Sequence, residues 1–111
     1  MAIGFPAHSF ESRVYHYQQH ELIMVTRSAL DDLGWQYEPL SNCVFLARVP
    51  VNFMSWGEKL KVEISPDGSV AAESKCSYPL QAFDWGKNAE NIKVFFSKFE
   101  SFMKFELENP K

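Results

Sequence analysis

Histidine, cysteine and the acidic side chains are the residues of this 111-residue chain that could ligate metal or serve as nucleophile and base. His16 and His20 stand four apart with Glu21 beside them, a spacing that binds metal on one helix face. Here the pair straddles the junction between an expected strand and an expected helix, so no metal site is expected. His8 falls in the N-terminal lead-in. Cys43 and Cys76 both fall in expected strands, and Cys76 has core-facing parity; they read as buried, unreactive thiols rather than as half of a Cys–His pair. Asp31, Asp32 and Asp84 are isolated carboxylates suited to helix-end solvation or turn capping. No glycine-rich phosphate loop, GxSxG elbow or CxxC pair occurs. These residue types give no expectation of a catalytic residue, a metal or a cofactor, and the chain does not read as an enzyme.

The more telling pattern joins tryptophan to glycine. Each of the three Trp residues neighbours a Gly: Gly34-Trp35, Trp56-Gly57 and Trp85-Gly86. Two of them lie in echoing stretches, Ser55-Trp56-Gly57-Glu58-Lys59 and Asp84-Trp85-Gly86-Lys87-Asn88. Glycine marks backbone needing unusual freedom, and a large ring beside it marks a chain reversal pinned by packing.

Composition bounds the class. The hydrophobic fraction is 46%, the charged fraction 23% and the net charge −3, as in an ordinary globular domain of modal size. Residues 1–8 are expected as a flexible lead-in and 9–108 as one α+β domain. No apolar run approaches the ~20 residues a membrane span needs. Met1 to Pro6 lacks the features of a secretory signal, and two cysteines are too few for a disulfide framework, so a cytoplasmic setting is the expectation. The basic residues are not clustered, which argues against a nucleic-acid partner.

The elements follow from periodicity. An untidy strand is expected from Ser9 to Tyr17. A helix over Gln19–Leu33 carries Leu22, Val25, Ala29, Leu30 and Leu33 at helical spacing and stops at Gly34. Trp35–Pro39 and Cys43–Val49 read as a hairpin about Leu40-Ser41-Asn42, the second strand apolar enough to be buried on most of both sides. Leu60, Val62 and Ile64 alternate with Lys59, Lys61, Glu63 and Ser65, and after Pro66-Asp67-Gly68 Val70, Ala72, Ser74 and Cys76 alternate with Ala71, Glu73 and Lys75. A three-residue loop there sets Ile64 opposite Val70, Val62 opposite Ala72 and Lys61 opposite Glu73, with Gly68 left-handed. The outward row Lys59, Lys61, Glu63, Glu73 and Lys75 is mixed in sign. A last helix spans about Asn88 to Leu107, with Asn88 as its cap. Ile92, Phe95, Phe96, Phe99, Phe102 and Met103 form its apolar stripe, and Val94 and Phe105 fall outside it. The order strand, helix, four strands, helix predicts a curved antiparallel sheet of about five strands with both helices on one face. That is an α+β layer pair of TATA-binding-protein-like or helix-grip-like kind.

Antiparallel connectivity then places Trp35, Trp56 and Trp85 at one end of the sheet. Two apolar connections, 51–55 and 78–83, meet the same end and bring Phe53, Met54, Tyr78 and Phe83. With Phe99 from the last helix, Trp35, Phe53, Met54, Trp56, Tyr78, Phe83, Trp85 and Phe99 are the candidate contact residues for a ligand or partner. The same rings could instead close the core.

The Leu-Gly-Trp helix exit, Ser55-Trp56-Gly57-Glu58-Lys59, and Phe83-Asp84-Trp85-Gly86-Lys87-Asn88 leading into Asn91-Ile92 form a set. That set resembles a family of small uncharacterised bacterial domains of about this length, over about Phe10 to Phe102. The resemblance implies the fold and a bacterial source, and no catalytic residue. The expected function is a non-enzymatic protein-interaction module using its aromatic sheet end. The alternatives are a carrier of a small apolar ligand between the sheet and the last helix, and a structural or accessory domain without ligand.

Overall fold

The computed structural model describes residues 8–50, 58–76 and 87–108. Five strands, β1 (His8–Val14), β2 (Gln36–Ser41), β3 (Val44–Val49), β4 (Glu58–Ile64) and β5 (Ser69–Cys76), form one antiparallel sheet in the order β1-β5-β4-β3-β2. Helices α1 (Gln19–Leu33) and α2 (Lys87–Met103) pack against each other and against the sheet. A π-helical segment, Lys104–Glu108, follows α2. The chain is an α+β fold with both helices on one side of the sheet.

Helix α1 starts and stops for local reasons. Glu21 reaches back to accept the Gln18 N–H at 3.0 Å, half of a capping box. Gly34 takes φ 74°, its N–H reaching Asp31 O, and Trp35 N–H reaches Leu30 O at 3.2 Å. This Schellman arrangement turns the chain back under the helix and seats Trp35 in the core.

The β4–β5 hairpin has the register its pattern predicts: Ile64 faces Val70, Val62 faces Ala72 and Lys61 faces Glu73. Gly68 has φ 93°, and its carbonyl accepts the Tyr15 N–H at 2.9 Å. A Cβ on Gly68 would lie 2.5 Å from the Tyr15 carbonyl oxygen, so the turn needs glycine for two separate reasons.

The core lies between sheet and helices. Phe45, Leu60, Val62, Ile64, Val70 and Ala72 meet Leu22, Val25, Leu30, Phe95, Phe96 and Phe99, all fully buried. Each buried phenylalanine contributes about 1.5–3 kcal/mol. Val94 and Phe105 are exposed, as their positions off the α2 stripe require.

Several boundaries differ from expectation. β1 ends at Val14, so Tyr15 and Tyr17 lie in the connection to α1. β2 runs through Ser41, and Cys43 sits half-buried in the turn rather than in a strand. There the Ser41 hydroxyl accepts the Cys43 N–H at 3.3 Å; that local bond competes with the ladder. β3 alternates, with Phe45, Ala47 and Val49 buried and Arg48 exposed, because both helices pack on the same side. α2 starts at Lys87, which puts Asn88 inside the helix rather than at its cap, and the α-helix ends at Met103. Beyond it the backbone widens, with Glu106 accepting the Ser28 hydroxyl at 2.7 Å and Leu107 against the core.

Candidate functional site

The sheet has two unlike ends. At one, Val49, Glu58 and Cys76 stand opposite one another on β3, β4 and β5, with Trp35 just before β2. At the other lies the Gly68 turn, with Tyr15 hydrogen-bonded to it.

Of the eight candidate contact residues, Trp35 and Phe99 are described; Phe53, Met54, Trp56, Tyr78, Phe83 and Trp85 lie outside the described residues. So do Gly57 and Gly86, and the meeting of Trp56 with Trp85. Trp35 is at the expected end and 9% exposed. Phe99 is fully buried and stacks on Tyr15 with ring centroids 5.2 Å apart, which places it toward the Gly68 end. The rise of α2 explains the separation: Asn91 lies beside Glu58, and eight residues at 1.5 Å each carry Phe99 about 12 Å further along. Trp35 and Phe99 are therefore parts of one core, not of one contact patch.

Around Trp35 the surface opens. A groove of about 530 Å³ runs along the α1 C-terminus and β2, the last strand of the sheet among the described residues, lined by Leu30, Asp31, Trp35, Tyr37, Glu38 and Arg48 among others. Tyr37 is half-buried and meets Phe45 edge-on at 5.9 Å, while the Arg27 guanidinium stands 5.1 Å over the other part of that cluster, the Phe45 ring. Burial, and then the Asp31 carboxylate, push the Tyr37 hydroxyl above its ordinary range, against the pull of Arg27. The phenol is therefore a neutral donor at any ordinary pH. The groove offers an aromatic wall, one cation (Arg48) and two carboxylates (Asp31 and Glu38).

A second polar site lies inside the same end. Glu58 is 3% exposed and Asn91 2%. Asn91 Nδ2 donates to Glu58 Oε1 at 3.2 Å and to the Ser74 hydroxyl at 3.3 Å. Glu58 belongs to the first echoing stretch, and Asn91 lies three residues beyond the end of the second. The signal for this was parity. Glu58 shares the inward face with Leu60, Val62 and Ile64, Ser74 shares it with Val70 and Ala72, and Asn91 precedes the Ile92 stripe. A buried carboxylate requires a donor, and a carboxamide supplies it without adding charge.

At the far end, Arg13 bridges Glu11 and Glu100, and the Tyr15 hydroxyl donates to Glu100 at 2.7 Å. Arg13 also lies 4.4 Å over the Phe96 ring. Burial alone would raise the Glu100 carboxyl, but the Tyr15 hydroxyl and Arg13 hold it below its ordinary range. Burial and the same Glu100 carboxylate push Tyr15 well above its own.

His16 and His20 are exposed, and among the described residues no three His, Cys, Asp or Glu side chains group to hold a metal. Among the same residues no helix is long and apolar enough to cross a membrane. Compared with known proteins, the chain matches no family model and is similar to no curated sequence.

Proposed function

We propose that this chain is a non-enzymatic interaction module, a bacterial and cytoplasmic one as its motif resemblance and its composition suggest. Its contact surface is the Trp35 end of the sheet. The observation that carries this reading is the open groove where Trp35 and Tyr37 stand beside Arg48 along β2, which has no strand on its outer side among the described residues. A groove with an aromatic wall, one cation and two carboxylates fits an extended protein segment with an apolar side chain for the ring wall and a carboxylate placed to meet Arg48. The filled interior supports this reading over the ligand carrier. Phe45, Phe95, Phe96 and Phe99 occupy the space between sheet and α2 where an apolar ligand would lie, and none has exposed surface. The reading of a structural domain without partner leaves the groove without a purpose.

Panning a random peptide display library against the wild type and against Arg48→Glu tests the proposal. Peptides sharing an apolar–acidic pattern should enrich on the wild type and not on the variant. Equal enrichment on both proteins would show that the groove is not the contact surface. A shift of tryptophan fluorescence with fatty acids or sterols, with no peptide enrichment, would establish the carrier instead.

A further inference from the structure

The opposite edge of the sheet carries a surface that the groove does not explain. β1 is the outermost strand, and among the described residues no strand pairs with its far side. Tyr15 N–H points to Gly68 O, in step with the β1–β5 register of Arg13 with Val70 and Glu11 with Ala72. Since backbone groups alternate in direction along a strand, the N–H and C=O of Phe10, Ser12 and Val14 point away from the sheet. Proline and lysine, two of the devices that blunt such an edge, are missing from His8–Val14, and its charged residues, Glu11 and Arg13, stand on the helix side. Phe10 and Val14 are also two of the most exposed large apolar side chains, at 61% and 66%.

We propose that β1 pairs antiparallel with β1 of a second copy of this chain, about a twofold axis at Ser12. The sequence of the strand is complementary to itself in that register. Ser12 faces Ser12 of the other copy as a hydrogen-bonded pair, and Phe10 faces Val14, joining the two exposed apolar residues of each strand in aromatic–β-branched pairs. On the helix side, Glu11 of one copy faces Arg13 of the other, twice over, at the closer non-hydrogen-bonded positions. A shift of two residues in the centre, onto Phe10 or Val14, loses the Glu11–Arg13 match and leaves one apolar pair in place of two. The contact is isologous and closes at two copies.

The helices fit the arrangement. α2 lies over β1 and β5, so at ~4.8 Å per strand the two copies of α2 run about 10 Å apart, an ordinary packing distance. The result is a ten-stranded sheet with all helices on one face. The two β2 edges, each with its Trp35 groove, lie at the outer ends, so the dimer presents two grooves.

Sedimentation equilibrium over a concentration series should give a mass approaching twice the 12.8 kDa of one chain. Ser12→Pro removes an outward N–H without costing a bond to β5, so it should keep the melting temperature and weaken association by at least tenfold. Glu11→Arg and Arg13→Glu should each be monomeric alone and associate when mixed, because every introduced charge then faces its opposite. This mixing test stands even where Ser12→Pro perturbs folding. A wild-type chain that stays monomeric at the highest concentration overturns the proposal. So does a dimer indifferent to Ser12→Pro in a folded protein, or a mixture of the two charge variants that fails to associate.

Discussion

Asn91 Nδ2 donates to Glu58 Oε1 at 3.2 Å between two side chains that are both almost wholly buried. The bond ties the first turns of α2 to the start of β4, and so fixes the helix over the sheet at the Trp35 end. Its worth lies less in the bond than in what its loss leaves behind, a buried carboxylate without a donor. Asn91→Ala should cost about 3 kcal/mol in urea unfolding, whereas Glu58→Gln, which keeps an acceptor oxygen, should cost about 1 kcal/mol. Replacing both with apolar residues of similar size, Glu58→Met with Asn91→Leu, should cost less than the sum of Glu58→Met and Asn91→Leu made singly, by more than about 1 kcal/mol. Additive losses would show that the two residues act independently.

The two left-handed glycines separate conformational strain from steric fit. Around Gly34 a Cβ meets nothing within 4 Å, while at Gly68 it meets the Tyr15 carbonyl at 2.5 Å. Gly34→Ala should therefore cost only the left-handed penalty of about 1–2 kcal/mol. Gly68→Ala should cost about 3 kcal/mol or more, because the β1 exit must also move. Thermal unfolding of the two variants side by side measures the difference, and equal losses would mean that the Tyr15 contact yields freely.

The Arg13–Glu100–Tyr15 cluster makes stability depend on pH at both extremes. Glu100 is held below its ordinary value of 4.5 in the fold, so its contribution is present above that value and is lost as pH falls through the lower folded value. Tyr15 is held above its ordinary value of 10, so its contribution is full below pH 10 and declines as pH rises toward the folded value. Glu100→Gln should flatten the acid limb of a stability profile, and Tyr15→Phe should flatten part of the alkaline limb. With Glu100 42% exposed, solvent screening limits the pair with Arg13 to about 0.5–1 kcal/mol.

Parity made the hairpin legible in the sequence. Only one loop length puts Leu60, Val62, Ile64, Val70 and Ala72 on the same face, and the structure has that register. Helix α1 was legible for a similar reason, since its apolar period and Gly34 agree on where it ends. The strand order was not, because β1 pairs with β5 across most of the chain and nothing local encodes that. Nor was the position of Phe99. Its place in the α2 stripe says that it is buried but not which end of the sheet it meets; that depends on Asn91 being anchored to Glu58 first. The groove is illegible in the sequence for another reason. It forms where the α1 exit and the β2 edge diverge, and no residue pattern carries that shape. The Glu58–Asn91 pair was visible in principle, because a charged residue at core parity needs a partner.

Phe99 and Arg48 make the sharpest test of where the contact surface lies. Phe99 is enclosed by Tyr15, Phe95 and Phe96 at centroid distances of 5.2, 5.7 and 6.4 Å, so truncation opens a cavity at the junction of helix and sheet. Phe99→Ala should lower stability by about 3–5 kcal/mol and affect peptide binding only through the unfolded fraction. Arg48 is exposed on β3 and lines the groove, and among the described residues it makes no ion pair. Arg48→Glu should change stability by no more than about 0.5 kcal/mol while abolishing recognition of an acidic segment. Calorimetric melting and peptide titration on both variants measure the two quantities separately. The reverse pattern, a stable Phe99 variant that cannot bind and an Arg48 variant that binds normally, would move the contact surface from the β2 edge to the α2 side of the fold.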